Sequence, residues 1–270
     1  MHYDPIKNVF GNIIRKNPWL RILFYNLLGV MFLREWYVKR ELRRQLGSWN
    51  TPFRIYDAGC GFGQYSYYMA RQFPRATIFG VDVKEEQVND CTLFFRSIGL
   101  HQCSFAVEDL TRIRHSEKFD FILSVDVMEH IPDDIGVFRN FFQALAPGGI
   151  LFINTPSNLG GSDAHSESDE SFIGEHARNG YGADEIRDKL QSAGFNVESI
   201  RYTYGSWGNR YWKLGIKAPM QLLNRSKIFF LMLPFYYIIV LPFILPMMWL
   251  DYHNNNITGT GLNVLARKMR

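Results

Sequence analysis

The stretch Asp57-Ala58-Gly59-Cys60-Gly61-Phe62-Gly63 decides the fold, because it places three closely spaced glycines directly after a short apolar run. Glycines let the chain turn tightly and approach a ligand without interference from a Cβ atom. The run before this turn predicts a strand, and the pattern after it predicts a helix. Such a strand, turn and helix indicate a ligand site at the helix N-terminus, where backbone N–H groups are unpaired.

Asp57 distinguishes this turn from a dinucleotide-binding fingerprint. That fingerprint reads G-x-G-x-x-G, whereas the glycines here read G-x-G-x-G and follow a carboxylate. A carboxylate would repel a pyrophosphate, but it suits a ligand that carries a positive ammonium or sulfonium group. A nicotinamide-dependent oxidoreductase is therefore the weaker alternative.

Outward from the turn, short apolar runs alternate with helical patterns, which predicts a mostly parallel sheet with helices on both faces. We predict strands near residues 54–57, 78–81, 104–107, 119–124, 150–154, 197–202 and 261–267. We predict helices at residues 64–72, 84–97, 133–146 and 183–193. Open sheets of this kind bind ligands at the carboxyl ends of their strands.

Carboxylates follow the second and third predicted strands. Asp82 can accept hydrogen bonds from both hydroxyls of a ribose, or it can cap the following helix. Asp109 can accept a hydrogen bond from an adenine amino group, or it can be an ordinary loop carboxylate. The two residues and the glycine turn together favour a ligand with an adenosine part.

These motifs, taken in order, resemble those of the class I S-adenosylmethionine-dependent methyltransferases. The matching pieces are DAGCGFG at 57–63, GVD at 80–82, EDL at 108–110, FDFILSVDVMEHIPD at 119–133 and APGGILFINTP at 146–156. The resemblance covers about residues 52–202 and the final strand. It implies a Rossmann-like α/β fold with a seven-stranded, mostly parallel sheet and helices on both faces.

The same resemblance implies S-adenosyl-L-methionine as cofactor. Asp57 and the glycines would hold its methionine part, Asp82 its ribose, and Asp109 with Leu110 would surround its adenine. The complete predicted cofactor set is Asp57, Gly59, Cys60, Gly61, Gly63, Asp82, Val83, Asp109, Leu110 and Val125. For any single glycine the alternative is a tight turn without a ligand.

Methyl transfer is an in-line displacement at an activated carbon, so alignment and exclusion of water supply most of the acceleration. A general base is needed only for a protonated acceptor such as a hydroxyl. His130 is the candidate base, and a structural histidine is its alternative. His176 and Tyr181, in the irregular stretch of residues 157–182, are candidate acceptor-side groups; the alternative is a solvated loop.

Asp126, Glu129 and His130 have a spacing that three Mg²⁺ ligands could share. The run resembles the E-x-x-E-H motif of the ubiquinone-pathway O-methyltransferases, with Asp in place of the first Glu. The sequence E-H-I-P, however, also occurs in related methyltransferases that use no metal. We therefore predict no metal site.

Both ends of the chain differ from this middle. Residues 1–48 carry nine Lys or Arg and three Asp or Glu, and residues 228–250 carry no charge. The uncharged run is long enough to span a bilayer, but Pro234, Pro242 and Pro246 predict a broken helix. Because a single span would separate the last strand from its sheet, we predict a helical hairpin or broken helices in the membrane interface. A cap buried by protein, or a dimer face, is the alternative.

Basic and aromatic residues flank the apolar run. Residues 199–250 contain six Lys or Arg, no acid, and Trp207, Tyr211 and Trp212, as interfacial segments do. Residues 17–46 place Leu20, Leu23, Phe24, Leu27, Leu28 and Met31 on one helical stripe that basic residues follow. This helix pair either lies on an anionic membrane or covers the cofactor and acceptor pocket. Nucleic acid is not an expected partner, because the aromatic residues adjoin aliphatic blocks.

Together these features predict four parts: N-terminal helices at 1–50, a methyltransferase core at 51–204, an apolar helical insertion at 205–258, and the final strand at 259–270. We expect O-methylation of a hydrophobic or lipid-linked small molecule at a membrane surface. The alternative is a membrane-associated scaffold that binds S-adenosylmethionine without turnover. Three cysteines without a CxxC pair indicate a reducing compartment, so we expect a cytoplasmic protein with peripheral or monotopic attachment.

Overall fold

The computed structural model describes residues 17–160, 177–226 and 229–269. Its centre is one seven-stranded sheet in the order β3-β2-β1-β4-β5-β7-β6. The strands are β1 Phe53–Ala58, β2 Ala76–Asp82, β3 Cys103–Val107, β4 Phe119–Val125, β5 Leu145–Pro156, β6 Asn196–Thr203 and β7 Gly261–Arg267. The pairs among β1 to β5 are parallel, whereas β7 runs antiparallel to both β5 and β6. The predicted fold class is therefore confirmed.

The helices connect the strands and also form additions at both ends of the chain. The N-terminal addition is α1 Pro18–Met31 and α2 Leu33–Leu46. The helices between the strands are α3 Gln64–Gln72, α4 Glu85–Ser97, α5 Asp134–Ala144 and α6 Ala183–Ser192. Between β6 and β7 lie α7 Ser206–Trp212, a π-helical turn Lys213–Lys217, α8 Ala218–Arg225 and α9 Phe229–His253.

The order of the strands sets the position of a ligand crevice. The chain runs from β1 outward to β2 and β3, then returns to β4 on the other side of β1. The carboxyl ends of β1 and β4 therefore lie at a topological switch point, where open α/β sheets bind ligands. Asp57 lies there beside Leu123 of β4, and Gly80 of β2 is its neighbour on the other side.

The apolar insertion forms a helical hairpin, defined here as residues 206–226 and 229–253. Tyr236 and Tyr237 of α9 donate hydrogen bonds of 2.5 and 2.9 Å to the carbonyls of Leu214 and Gly215 in the π-helical turn. Pro219 has no N–H to donate to the Gly215 carbonyl, so the Tyr237 hydroxyl supplies the missing donor. This hydrogen bonding holds the two arms of the hairpin together.

The expectation that three prolines break this segment is wrong, because α9 is continuous through Pro234, Pro242 and Pro246. The prolines all lie on the exposed side of α9. The opposite stripe of the helix is buried and consists of Val240, Ile244, Met248 and Asp251. Packing along this stripe keeps α9 helical. The backbone carbonyls that lack a hydrogen-bond donor because of the prolines lie on the outward side of the helix.

Helix α1 has the reverse of the usual polarity. Its two buried side chains are Arg21 and Tyr25. Its outward side chains include Trp19, Leu23, Leu27 and Val30, which are 50–70% exposed. An apolar outer surface on a helix that buries an arginine is not what solvent exposure favours.

Candidate active site

The glycine turn after β1 has the geometry of a ligand cradle. Gly59, Gly61 and Gly63 adopt φ values of 79°, 52° and 79°, a region that L side chains rarely adopt. A Cβ atom on Gly59 would lie 2.3 Å from Cγ2 of Val127. The amide of Gly63 closes the turn by donating a 2.8 Å hydrogen bond to the carbonyl of Cys60. Without a Cβ atom at these three positions, the backbone of the turn can approach a ligand closely.

Asp57 is a buried carboxylate beneath this turn. It accepts a 2.5 Å hydrogen bond from the hydroxyl of Ser66, the third residue of α3. Burial raises the pKa of Asp57 to about 6, and the nearby charge of Asp82 contributes to the increase. A carboxylate in this state is stabilised in its ionised form by a positive ligand group. Its environment therefore fits the cationic end of the predicted cofactor.

Asp82 connects the glycine turn to the start of α4. Its two oxygens accept hydrogen bonds of 3.0 Å from the amide of Gly61 and 2.9 Å from the amide of Lys84. Helix α4 starts at Glu85 with Lys84 as its cap residue, so Asp82 lies two residues before the cap. Each carboxylate oxygen can accept further hydrogen bonds. The carboxylate orients the turn, and its remaining acceptor capacity fits the predicted ribose contact.

The third strand end arranges its two carboxylates differently. Glu108 accepts a 2.7 Å hydrogen bond from Tyr56 and lies 3.1 Å from Nε2 of His115. Asp109 is exposed, and the hydroxyl and amide of Thr111 donate hydrogen bonds of 2.7 and 3.0 Å to it, which lower its pKa. Leu110 is buried in the main core. The adenine contact of Asp109 and Leu110 stays a prediction.

Two other members of the predicted cofactor set differ in exposure. Val83, after the end of β2, is 63% exposed, and Val125, the last residue of β4, is half-buried. Cys60 is buried under the turn. All three residues lie where strands end at the crevice, and their contacts with cofactor stay predictions.

A cavity of about 190 Å³ lies beside this crevice. Three separate parts of the chain line it: the ends of β4 and β5, the hairpin with the turns that join it to the sheet, and helix α2. Its lining residues are Arg34, Asp126, Glu129, His130, Asn154, Thr155, Pro156, Gly160, Thr203, Tyr204, Asn209, Trp212, Thr260 and Gly261. His130 is one of these lining residues, and its role as a base stays a prediction.

An ion pair joins two of the residues that line this cavity. The guanidinium of Arg34, at the start of α2, pairs with the carboxylate of Asp126 after β4. The amide of Arg34 also donates a 2.9 Å hydrogen bond to the hydroxyl of Tyr204. Sequence reasoning missed Arg34 and Tyr204 as site residues, because 92 and 78 positions separate them from Asp126 and neither belongs to a motif.

Glu129 and Thr203 give the cavity buried polar atoms. Glu129 is 1% exposed and accepts a 3.1 Å hydrogen bond from Thr155, and burial raises its pKa. The hydroxyl of Thr203 is buried, and no described atom is its hydrogen-bond partner. Buried polar atoms of this kind favour an acceptor with a polar group.

Asp126, Glu129 and His130, the residues of the Mg²⁺ alternative, lie at one turn after β4. The last two residues lie on a 3₁₀ turn, Met128–His130, and Asp126 precedes the turn with a φ of 50°. Among residues 17–160, 177–226 and 229–269, no three His, Cys, Asp or Glu side chains are grouped to hold a metal ion. The absence of a metal site stays a prediction.

Tyr181 is not a group on the acceptor side. It is fully buried. Its hydroxyl donates hydrogen bonds to the carboxylate of Asp134, at 2.8 Å, and to the carbonyl of Met128, at 3.1 Å. Arg178 and Lys189 also pair with Asp134. This network ties α6 to the start of α5, so the residue serves the core. His176 lies outside the described residues, and its role stays a prediction.

Comparison with known proteins agrees with this geometry. A family model described as a methyltransferase domain matches residues 52–202. Phosphoethanolamine N-methyltransferase 1 of Triticum aestivum is 32% identical over 53% of this chain and 28% of its own length. A ubiquinone biosynthesis O-methyltransferase of Actinobacillus pleuropneumoniae serotype 5b is 32% identical over 38% of this chain and 45% of its own length. The chain thus spans less than half the length of these relatives.

Two solved structures are similar across most of this chain. The cyclase SpnF has a TM-score of 0.64 at 19% identity, with 87% of this chain and 82% of that chain covered. Phosphoethanolamine N-methyltransferase 2 of Haemonchus contortus, in complex with S-adenosyl-L-methionine, has a TM-score of 0.62 at 19% identity. That match covers 87% of this chain and 53% of the other. At this identity the likeness concerns the fold alone.

Proposed function

Because this chain belongs to the methyltransferase-domain family, whose cofactor is S-adenosyl-L-methionine, we propose that it methylates a hydrophobic or lipid-linked small molecule at a membrane surface. One observation carries the proposal. Asn209 and Trp212 of the hairpin line the cavity beside the cofactor crevice, while the outer side of the same hairpin exposes large apolar side chains. The same element therefore contributes both to the cavity and to the apolar surface, which suits an acceptor with an apolar tail.

The hairpin has the composition of a membrane-contacting element. In an 18-residue window of α9 the mean hydropathy is 2.1 and 11% of the residues are buried. Its most exposed apolar residues include Leu231, Phe235, Ile238, Ile239 and Phe243, at 61–73% exposure. A patch of this kind is unusual on a protein that contacts only water.

The apolar face of α1 adds a second surface of the same kind. Trp19, Leu23, Leu27 and Val30 are at least half exposed, although α1 packs its other side on the enzyme core. Trp19 is the most exposed of the four at 70%. A tryptophan at the end of such a face is typical of helices that lie in the membrane interface.

Charge distinguishes an anionic membrane from an apolar protein partner. Arg210, Lys213 and Lys217 lie on the first arm of the hairpin, and residues 199–250 contain no acid. The guanidinium of Arg210 and the ammonium of Lys217 lie 4.7 and 5.5 Å from the ring centres of Trp207 and Trp212. Basic residues beside interfacial tryptophans favour contact with anionic lipid headgroups.

The way the hairpin joins the sheet supports monotopic attachment. The chain leaves β6 at Thr203 and returns to β7 at Gly261, and these two residues are paired in the sheet. Both ends of the hairpin therefore lie on the same side of any membrane that its outer face contacts. A single complete crossing would separate them. This connectivity favours peripheral or monotopic attachment over a single complete span.

The site residues would act mainly by alignment. When bound, S-adenosyl-L-methionine supplies a methyl group activated by a sulfonium sulfur. Asp57 would stabilise the ammonium of its methionine part, and Asp82 would accept hydrogen bonds from its ribose hydroxyls. The glycine turn would let the protein backbone approach the cofactor closely, and the neighbouring cavity would hold the acceptor beside it.

Oxygen is the proposed methylated atom. His130 lines the cavity, where it can take the proton that a hydroxyl loses as its oxygen forms the new bond to carbon. The electrons of the broken carbon–sulfur bond remain on sulfur. The two curated relatives are named for N- and O-methylation, so nitrogen is the outcome that would revise this part of the proposal.

Three measurements test the function. Calorimetric titration with S-adenosylhomocysteine should show one site per chain, and absence of binding by folded protein would overturn the enzyme proposal. Mass spectrometry of lipid extracts from cells with and without the protein should show one class of molecule that gains 14 mass units. Cells that express Asp57→Ala should lack this product; unchanged cellular function would favour the scaffold alternative.

A further inference from the structure

Arg21 is a fully buried cation on a helix whose other face is apolar and exposed. Its side chain is 0% exposed, whereas Leu23, two residues later, is 51% exposed. Arginine is rarely buried without specific partners, because removal of its charge from water is costly. The position therefore requires a specific reason, and its contacts provide one.

The guanidinium of Arg21 uses all three of its nitrogens. Each nitrogen donates a hydrogen bond of 2.7 Å. Nη1 donates to the carboxylate of Asp90, Nε to the hydroxyl of Tyr25, and Nη2 to the carbonyl of Phe62. The rings of Phe62 and Phe94 lie on it with centroids 4.2 Å from Cζ. Such a set holds a planar group in one orientation, which lysine cannot reproduce.

The important contact is the carbonyl of Phe62. This residue lies between Gly61 and Gly63, whose φ values are both positive. Tyr25 donates a second hydrogen bond, of 2.5 Å, to the same carbonyl oxygen. Two donors on one oxygen fix the Phe62–Gly63 peptide plane, which is the last peptide of the glycine turn before α3.

The cradle is thereby held from two directions. On the side of the sheet, the carboxylate of Asp82 accepts a hydrogen bond of 3.0 Å from the amide of Gly61. From the outside, α1 holds the Phe62 carbonyl. A turn with three glycines has little conformational preference of its own, so these external contacts add to its backbone hydrogen bonds in holding its shape.

We propose that Arg21, assisted by Tyr25, is a positioning residue for the cofactor turn, so that α1 determines the affinity for S-adenosyl-L-methionine. Arg21 lies outside residues 52–202, the part that matches the methyltransferase-domain family. The turn is thus completed by a helix added in front of the shared core. This role rests on the family's cofactor and does not depend on the identity of the acceptor.

Two substitutions separate positioning from general stability. Arg21→Lys keeps the charge beside Asp90 but cannot reach Asp90, Tyr25 and Phe62 with one ammonium. Tyr25→Phe keeps the ring and removes only the hydroxyl. Arg44→Gln is the matched control, because Arg44 is a 55% exposed arginine on α2 whose one ion-pair partner lies 4.0 Å away.

Titration of the full chain with S-adenosylhomocysteine should show affinity lower by about tenfold in Arg21→Lys, about threefold in Tyr25→Phe, and unchanged in Arg44→Gln. Amide hydrogen exchange should accelerate in residues 57–66 of both test variants and stay unchanged in β7. Faster exchange confined to the turn is a result that a purely structural role would not give.

The outcomes are distinguishable. If Arg21→Lys does not fold, Tyr25→Phe decides the question, because it leaves the ion pair with Asp90 in place. Wild-type affinity and exchange in a folded variant would overturn the proposal for Arg21. Absence of binding by the wild-type protein would instead overturn the cofactor assignment, and the role of Arg21 with it.

Discussion

Tyr37 of α2 donates a 2.7 Å hydrogen bond to the carboxylate of Asp251 near the end of α9. The other oxygen of the Asp251 carboxylate accepts a hydrogen bond of 2.8 Å from the amide of Gly208 in α7. Both Tyr37 and Asp251 are buried. One carboxylate thus joins the N-terminal helices to both arms of the hairpin, next to the cavity that Arg34 and Asn209 line.

This junction predicts the effect of Tyr37→Phe. Removal of the hydroxyl leaves a buried carboxylate with one fewer donor, which should cost about 1–3 kcal/mol of unfolding free energy. Urea denaturation at pH 7 would measure the loss. Arg43→Gln, a substitution of an exposed residue on the same helix, is the control with little expected effect. A Tyr37→Phe protein as stable as the wild type would contradict the junction.

The closed geometry of the cofactor turn predicts a loss of binding in Gly59→Ala. The added Cβ would lie 2.3 Å from Val127, and the residue would keep a φ of 79°. Strain at such a position costs about 1–3 kcal/mol, so the turn should shift and affinity for S-adenosylhomocysteine should decrease at least tenfold. Gly99→Ala is the control, because Gly99 also has a positive φ but no atom within 4 Å of its Cβ position. Equal affinity in the two variants would contradict the cradle.

The raised pKa of Asp57 predicts a specific dependence on pH. Because its pKa is about 6 in the folded protein and 3.8 as the ordinary value, the folded state binds more protons than the unfolded state between these values. The contribution of Asp57 to stability therefore falls as pH rises from about 4 to about 6, by about 3 kcal/mol. Asp57→Asn should remove this contribution and make the ligand-free protein more stable at pH 7.

The same ionisation should appear in ligand binding. Affinity for S-adenosylhomocysteine should increase as pH rises through about 6, because the ionised carboxylate stabilises the ligand ammonium. Calorimetry from pH 5 to 7.5 measures this. Asp57→Asn should bind weakly with a flat profile over that range; a parallel slope in wild type and variant would assign the effect to another group.

The exposed face of α9 predicts the effect of charge on membrane attachment. Ile238→Asp and Ile239→Asp should remove most binding to anionic vesicles, because each places a negative charge in the apolar face that would contact lipid. Both side chains are at least 67% exposed, so folding and S-adenosylhomocysteine binding should be unchanged. Flotation with phosphatidylserine vesicles measures the effect. Wild-type protein that stays at the bottom of the gradient would contradict membrane contact.

A matched substitution separates this effect from charge alone. Val107→Asp places the same charge at a half-exposed position on the edge strand β3, away from the hairpin. It should float as the wild type does. If it is lost from the vesicles to the same extent as the hairpin variants, net charge and not the apolar face accounts for the binding.

The local pattern of the sequence was sufficient for the core. The boundaries predicted for α3 and β7 agree with the structure, and the other core elements agree within a few residues except β5. Strand β5 is longer than predicted, from Leu145 to Pro156, because β4 and β7 both extend its pairing. Alternation and glycine placement are short-range signals, whereas strand length depends on neighbours that are distant in the chain.

The residues of the candidate site also divide into those that a local motif reveals and those that only tertiary contacts reveal. Asp57 and Asp82 could be found because each follows a strand in a recognisable motif. Arg34 and Tyr204 could not, because Arg34 contacts Asp126 and Tyr204 only after α2 packs beside the ends of β4 and β6. Tyr181 illustrates the converse: its position in the sequence indicated the acceptor pocket, and its hydrogen bond to Asp134 places it in the core.

The sequence by itself determined the sheet, the cofactor turn and the presence of two apolar segments, because these depend on residue types at short and regular spacing. Only the tertiary structure decided how those segments are used. Packing on α7 and α2 keeps α9 continuous through three prolines that local propensity alone would break. The partners of Arg21 come from residues 62, 90 and 94, so α1 turns its arginine inward and its apolar residues outward. Helical periodicity shows which residues share a face, but the contacts available inside the fold decide which face is buried.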